Sequence, residues 1–252
     1  MENDTSVKWT YQVPGKALMA FVKEVNTIEC DAKFVLLENG IAVNVVDPSH
    51  VSMSTVTLGG GKPIGLSYGM ELRNLKDSLT GHTKMNSKET SMVTMSCDGE
   101  IMYVDLQDGT KFSWRSLDLS TLSPPTLPEL DLPASISVTG QQFALGIQRQ
   151  RRIGDLARIM ITKDKLELSV TGTTSRVVTT ISGAGKIKDK TESVKGNYSL
   201  TYLVGLAKEW KNADTVTLGL GENYPLLASK VNEVGGVEIN SKFFLAPRNE
   251  DY

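Results

Sequence analysis

Three residues able to do acid–base and nucleophilic chemistry fall within four positions of the stretch "VDPSHVSM", which runs from Val46 to Met53: Asp47, Ser49 and His50. A Ser–His–Asp set hydrolyses acyl bonds when the imidazole takes the hydroxyl proton and the carboxylate holds the ring. The spacing argues against that use. Side chains two or three apart in one tight turn do not converge on a single proton path, and no nucleophile-elbow pattern accompanies them. Asp-Pro followed by Ser is also plain turn chemistry, and the same turn could present a binding surface.

Other chemistries fare no better. His50 and His82 are the only histidines, and Cys30 and Cys97 the only cysteines, 67 positions apart. Neither zinc-finger spacing nor a CxxC pair exists, so no metal is expected and both thiols read as reduced. "LGGGKPI" has no glycine five positions before Gly61 and has Pro63 where a phosphate loop needs Ser or Thr. "GAGKI" ends in Ile187, and "GLGENY" lacks its third glycine. No cofactor and no enzymatic activity are expected.

Charge says more. The chain of 252 residues carries a formal net charge of −2 and a pI near 5.8. On average it has no claim to bulk affinity for nucleic acid. The distribution differs from the average. Gly15–Asn26 carries Lys16, Lys23 and Glu24 for +1, and Glu71–Thr80 carries Glu71, Arg73, Lys76 and Asp77 for 0. Gln141–Arg152 carries Arg149, Arg151 and Arg152 for +3, and Leu200–Asn212 carries Lys208, Glu209 and Lys211 for +1. The remainder is then net −7. Paired cations three or seven apart share one helical face. Taken singly, each pair is a solvated helix face. Four of them on an otherwise acidic chain point to a shared anionic partner, most simply a phosphate backbone.

The elements that would carry these residues occur twice. "FVLLENGIAVNVVD" (Phe34–Asp47) is echoed by "RIMITKDKLELSVTG" (Arg158–Gly172), each reading strand, turn, strand. "VTMSCDGE" from Val93 is echoed by "VTLGLGEN" from Val216, and Gly15 before "KALMAFVKEV" by Gly140 before "QQFALGIQRQRR". "YGMELRNLKDSL" from Tyr68 is echoed by "YSLTYLVGLAKEW" from Tyr198. The four pairs are collinear, at offsets of 123 to 130 residues. A duplicated unit is the direct explanation.

Within each copy, apolar stripes mark two short helices: Leu18, Val22 and Val25, then Leu72, Leu75 and Leu79. The second copy has Phe143 with Ile147, then Leu203, Leu206 and Trp210. Alternating runs such as "EIMYVDL", "KFSWRSL" and "SRVVTTIS" predict half-buried antiparallel strands. The expected fold class is α+β, two duplicated domains of antiparallel sheet with two helices each. The expected domains are 1–118 and 135–252. Between them "LSTLSPPTLPELDLPA" at 119–134, with four prolines, predicts an extended connector. No apolar run approaches the roughly 20 residues of a membrane helix, and "MENDTSVKWT" does not read as a secretory leader.

Taken together, "VDPSHVSM", "LPELDLPA" in the connector, "ENYPLL" from Glu222 and "FFLAP" from Phe243 make the chain resemble proliferating cell nuclear antigen, the DNA sliding clamp, in its archaeal form. The resemblance covers essentially the whole chain. It implies the DNA-clamp fold assembled into a closed ring, a homotrimer or else one subunit of a heteromeric ring, with helices around a central hole and sheets outside. Double-stranded DNA would thread the ring without sequence preference, met by Lys16, Lys23, Arg73, Lys76, Arg149, Arg152, Lys208 and Lys211, with Arg151 beside them.

A clamp loader, DNA polymerase and other proteins with clamp-interacting peptides are the implied partners. The implied peptide pocket is Val46, His50, Val51, Met53, Leu122, Leu127, Pro225, Phe244, Ala246 and Pro247. Ring closure would pair the strand of Lys111, Ser113 and Arg115 with that of Arg176, Val178 and Thr180. The location implied is the archaeal cytoplasm, at the nucleoid, or the nucleus in a eukaryote.

Overall fold

The computed structural model describes residues 6–28, 31–85, 91–122, 126, 129–188 and 192–248. Packing divides the chain into two units. The first comprises residues 1–47, 54–125 and 232–240, and the second 48–53, 126–231 and 241–252.

In the first unit, β1 (Trp9–Pro14) leads directly into α1 (Gly15–Val25), and β2 (Asp31–Val46) and β3 (Ser52–Glu71) precede α2 (Leu72–Met85). β4 (Met92–Cys97), β5 (Ile101–Asp105) and β6 (Lys111–Arg115) follow, and one sheet has the order β1-β4-β5-β6, antiparallel throughout. The register sets Val13 opposite Val93, Met95 opposite Val104 and Met102 opposite Trp114. That phase turns Val13, Val93, Met95, Met102 and Val104 toward a core with Leu18, Phe21, Phe34, Tyr68, Leu72 and Leu75. Burial of each large side chain contributes roughly 1.5–3 kcal/mol. β-structure continues through Glu38 and Asn39, where the sequence predicts a break. The burial alternation shifts phase there instead, with Ala32, Phe34 and Leu36 buried before the exposed pair and Ile41, Val43 and Val45 after it.

The second unit repeats the plan. β7 (Ala134–Val138) leads into α3 (Gly140–Arg151), followed by β8 (Leu156–Thr162), β9 (Lys165–Thr171), β10 (Arg176–Ser182), β11 (Ala184–Ile187) and β12 (Ser193–Ser199). α4 (Leu200–Trp210), β13 (Val216–Leu220), β14 (Leu226–Val234) and β15 (Val237–Leu245) follow, with residues 232–240 of the last two belonging to the first unit. One sheet has the order β10-β9-β8-β12, and β11-β7-β13-β14 are neighbours in another. Phe143, Ile147, Ile159, Ile161, Leu166, Leu168, Leu203 and Trp210 form the core between helices and strands.

The duplication is visible atom by atom. α1 packs on α2, and α3 on α4. The Gly15 amide, opening α1, donates to the Ser91 carbonyl at 2.8 Å, and the Gly140 amide, opening α3, donates to the Ala213 carbonyl at 2.9 Å. Each bond supplies a helix N-terminus with a partner that the helix itself cannot provide. Glycine is needed because the helix start crosses its neighbour closely. A Cβ on Gly140 would lie 2.1 Å from the Trp210 carbonyl oxygen, and one on Gly15 3.1 Å from the His82 ring. Tyr68 and Tyr198 match as well. Both are fully buried and donate their hydroxyls to backbone carbonyls, of Trp114 and Tyr224 respectively. Burial pushes both phenols up to about 12.

Candidate nucleic-acid interface

The helix faces turned away from the cores carry the cations. On α1, Lys16, Ala20 and Lys23 follow i, i+4, i+7, with Lys23 exposed and Lys16 and Ala20 half-buried. On α2, Arg73 and Asp77 are exposed and Lys76 is half-buried. On α3, Gln141, Leu145, Gln148, Arg149 and Arg152 form one exposed stripe. Arg151 is exposed too, but it stands about 100° around the helix from Arg152, on the flank of the stripe. On α4, Thr201 and Lys208 are exposed along one side, and Lys211 follows as the exposed C-cap.

Lys23, Arg149, Arg151 and Lys208 sit in last helical turns, where the carbonyl ends of the helix dipole favour positive charge. These side chains therefore stabilise their own helices while remaining available to phosphates. The two helix pairs are not equal in charge. On the first, a cleft of about 460 Å³ is lined by Asn26, Glu71, Arg73, Lys76 and Asp77, so two carboxylates stand among the cations. On the second, Glu209 is half-buried beside five exposed cations, Arg149, Arg151, Arg152, Lys208 and Lys211.

The residues expected to receive a partner peptide are divided between the units. His50, Val51, Met53, Pro225, Phe244, Ala246 and Pro247 belong to the second, in which the Ala246 amide donates to the Val51 carbonyl at 2.8 Å. That bond lays the C-terminal segment beside the turn. His50 is exposed at φ 56°, while Val51, Met53, Pro225, Ala246 and Pro247 are half-buried. Phe244 is only 6% exposed, so it is buried rather than presented at the surface. Tyr224, 49% exposed next to Pro225, is an aromatic missing from the pocket expected from sequence, because nothing local in "ENYPLL" marks its ring as exposed. Val46 and Leu122 belong to the first unit. Leu122 packs against β3, its Cδ1 2.9 Å from where a Cβ on Gly69 would stand. Leu127 lies outside the described residues.

β6 and β10 each end their sheet among the described strands. On β6, Lys111, Ser113 and Arg115 are exposed, with Lys111 paired to Asp105 at 3.0 Å and Arg115 to Glu100 at 3.2 Å. Phe112 and Trp114 stack on its other side, with ring centroids 5.4 Å apart. On β10, Arg176, Val178 and Thr180 are exposed.

The structure also assembles a Ser–His–Asp array that spacing along the chain could not reveal. The Ser91 hydroxyl lies 2.7 Å from His82 Nε2, and Asp108 Oδ2 lies 3.3 Å from His82 Nδ1. The His82 side chain is 1% exposed and abuts Gly15. It fastens α2 to the start of α1 and to the turn after β5, which is a structural clasp. Hydrogen bonds within turns favour the ionised form of nearby carboxylates. Asp108 lies below the usual range chiefly through the Thr110 amide, and Asp118 through the Ser120 hydroxyl and then its amide.

No family model matches the chain. Curated relatives do. The DNA polymerase sliding clamp of Thermoplasma acidophilum is 28% identical over 242 residues, covering 93% of this chain and 96% of the relative. That of Methanococcoides burtonii is 25% identical over 237 residues, covering 91% and 94%. Among solved structures, A. fulgidus PCNA bound to the C-terminal region of FEN-1 superposes with a TM-score of 0.81 at 21% identity, over 96% of this chain and 99% of that one. PCNA from Entamoeba histolytica superposes with a TM-score of 0.80 at 21% identity, over 96% and 100%. The chain is thus similar over most of its length to archaeal DNA polymerase sliding clamps, and over nearly all of it shares the fold of PCNA.

Proposed function

We propose that this protein is a DNA sliding clamp and processivity factor, which encircles duplex DNA and tethers DNA polymerase and other replication and repair enzymes. The observation that carries the reading is the repeated one. In a duplicated fold, each of four helices packs one face into a core and turns outward a second face bearing Lys16 and Lys23, Arg73 and Lys76, Arg149 and Arg152, or Lys208 and Lys211. Cations spread along helix faces meet phosphates without reading base edges, so contact is sequence-neutral and the duplex can slide.

The clamp has no chemistry of its own in this reading. His50 is a turn residue, and the Asp47–Ser49–His50 stretch serves the surface that receives partner peptides, with His50, Val51, Met53, Pro225, Ala246 and Pro247 together with the buried Phe244. Such a surface suits a short segment with apolar anchors. The A. fulgidus PCNA structure, solved with the C-terminal region of FEN-1 bound, supports a C-terminal segment of another protein as one such guest. Three copies closing through the β6 and β10 edges would satisfy strands otherwise open to pairing. A heteromeric ring is the alternative, and a loader and a place at an archaeal nucleoid complete the proposal.

Retention on DNA tests the reading. The protein loaded on circular DNA should stay bound through a salt wash and be released when the circle is cut once, because a ring slides off a free end. Equal release from circle and line would refute encirclement.

A further inference from the structure

The second unit holds a polar cleft of about 270 Å³ lined by Gly154, Asp155, Leu156, Arg158, Ser169, Val170, Thr171, Arg176 and Asn197. The strand register explains its composition. Asn197 on β12 stands opposite Arg158 on β8, and Arg158 stands opposite Ser169 on β9. Two residues along β9, Thr171 stands opposite Arg176 on β10. Residues two apart share a face, so Asn197, Arg158, Ser169, Thr171 and Arg176 all project from the side of the sheet opposite the core residues Ile159, Leu168 and Val170. Ideal sheet spacing sets the Arg158 and Arg176 backbones about 12 Å apart across the intervening strand. Two extended guanidinium side chains can meet over Ser169 and Thr171 at that distance.

Three features make this more than a basic patch. Ser169 is only 7% exposed and lines the cleft, so it stands low in the depression between the two arginines' strands. Neither arginine lies within 4.0 Å of a carboxylate among the described residues, although Asp155 lines the same cleft. Arg158 lines the cleft and makes one long hydrogen bond, from Nε to Asn197 Oδ1 on β12 at 3.4 Å. The volume lies just below the roughly 300–1,000 Å³ of pockets for drug-sized ligands, which suits a small group.

We propose that this cleft binds a phosphate group, gripped between the Arg158 and Arg176 guanidiniums and accepting hydrogen bonds from the Ser169 and Thr171 hydroxyls. Arginine is the apt residue, because its planar fork matches the oxygens of a phosphate and stays charged at any physiological pH. The residues proposed to grip the phosphate lie on strands β8, β9 and β10 rather than on the helices, while Gly154 and Asp155 in the lining come from the turn between α3 and β8. Arg176 also stands on the β10 edge, so occupancy of the cleft bears on whatever that edge pairs with.

Calorimetric titration of the full chain with inorganic phosphate, at ionic strength held constant with chloride, tests the site. Titration with adenosine monophosphate distinguishes free phosphate from a nucleotide phosphate ester. Saturable binding of either probe, weakened at least tenfold in Arg158→Ala/Arg176→Ala, is the expected result. The stronger probe names the source. Since Arg176→Ala could alter assembly, Arg158→Ala and Ser169→Ala are measured alone, with the mass checked by light scattering, and each should weaken binding at unchanged mass. Binding that does not saturate, or that is equal in these variants and the wild type, overturns the proposal.

Discussion

Two residue types, glycine and aspartate, show how single side chains secure this fold. Gly140 and Gly15 occupy equivalent positions, but the crowding differs in kind: rigid backbone faces Gly140, and a side-chain ring faces Gly15. Gly140→Ala should therefore cost about 1–3 kcal/mol, as overpacking does. Gly15→Ala should cost less, because the His82 ring can shift by tenths of an ångström. Thermal melts of the two variants check the order, and a larger loss for Gly15→Ala would contradict it. Asp98 makes a different contribution. Its carboxylate accepts the amides of Ile101 and Glu100, both at 2.8 Å, and the Tyr103 hydroxyl at 3.3 Å. The Ile101 amide first, then that of Glu100, holds the group below the ordinary aspartate value. A lowered native pKa means that the folded state binds the proton less readily than the unfolded chain. The associated stability is present above about pH 4 and is lost as pH falls through the native value. Asp98→Asn should melt below the wild type at pH 7, and the gap should shrink as pH falls below the ordinary aspartate range of about 4. A gap independent of pH would mean that the charge is not what the turn uses. The catalytic-looking residues were legible by type but not by arrangement. Asp47, Ser49 and His50 are neighbours in the chain, whereas Ser91, His82 and Asp108 are neighbours in space, and only folding could bring the latter together.

At the scale of elements, each helix was legible from its apolar stripe, and the cationic face followed by subtraction. Leu18, Val22 and Val25 are fully buried, as are Leu72, Leu75 and Leu79, so Lys16, Lys23 and Arg73 had to lie elsewhere on the cylinder. The imbalance between the helix pairs was already in the sequence counts; the structure added that Glu71 and Asp77 share a cleft with Arg73 and Lys76. Replacing Arg149, Arg152, Lys208 and Lys211 with Ala should flatten the dependence of log K on log salt for duplex DNA, by about 0.9 for each phosphate no longer neutralised. The same replacement of Lys16, Lys23, Arg73 and Lys76 should change the slope less, because carboxylates already offset part of that face. Equal salt slopes for wild type and both variants would mean that none of these faces meets DNA. Strand ends were harder to read. β-structure passes through Glu38 and Asn39 despite their polar, turn-like sequence, while the equivalent Lys163 and Asp164 do separate β8 from β9. Local propensity alone does not distinguish the two cases, because neighbouring strands decide whether such a tip keeps its pairing.

For the molecule as a whole, assembly is the property that a single mass measurement decides. Val178 is 45% exposed on β10, and β6 offers Ser113 between two ion-paired cations. If these edges join subunits, Val178→Asp should lower the mass found by light scattering from that of an oligomer to 27.5 kDa, while the separated chain keeps its fold by circular dichroism. An unchanged oligomer mass would place the seam elsewhere. What the sequence determined by itself was the duplication, the α+β class, the four amphipathic helices and the sign of their outer faces. All of these follow from periodicity and order along the chain, which need no knowledge of distant neighbours. Tertiary structure alone decided which residues complete each unit, as when 48–53 and 241–252 join 126–231. It also decided that Phe244 is buried, that His82 is a clasp and that Arg158, Ser169 and Arg176 share a cleft. Those outcomes depend on strand register and close packing between residues far apart in sequence, and no local pattern encodes them.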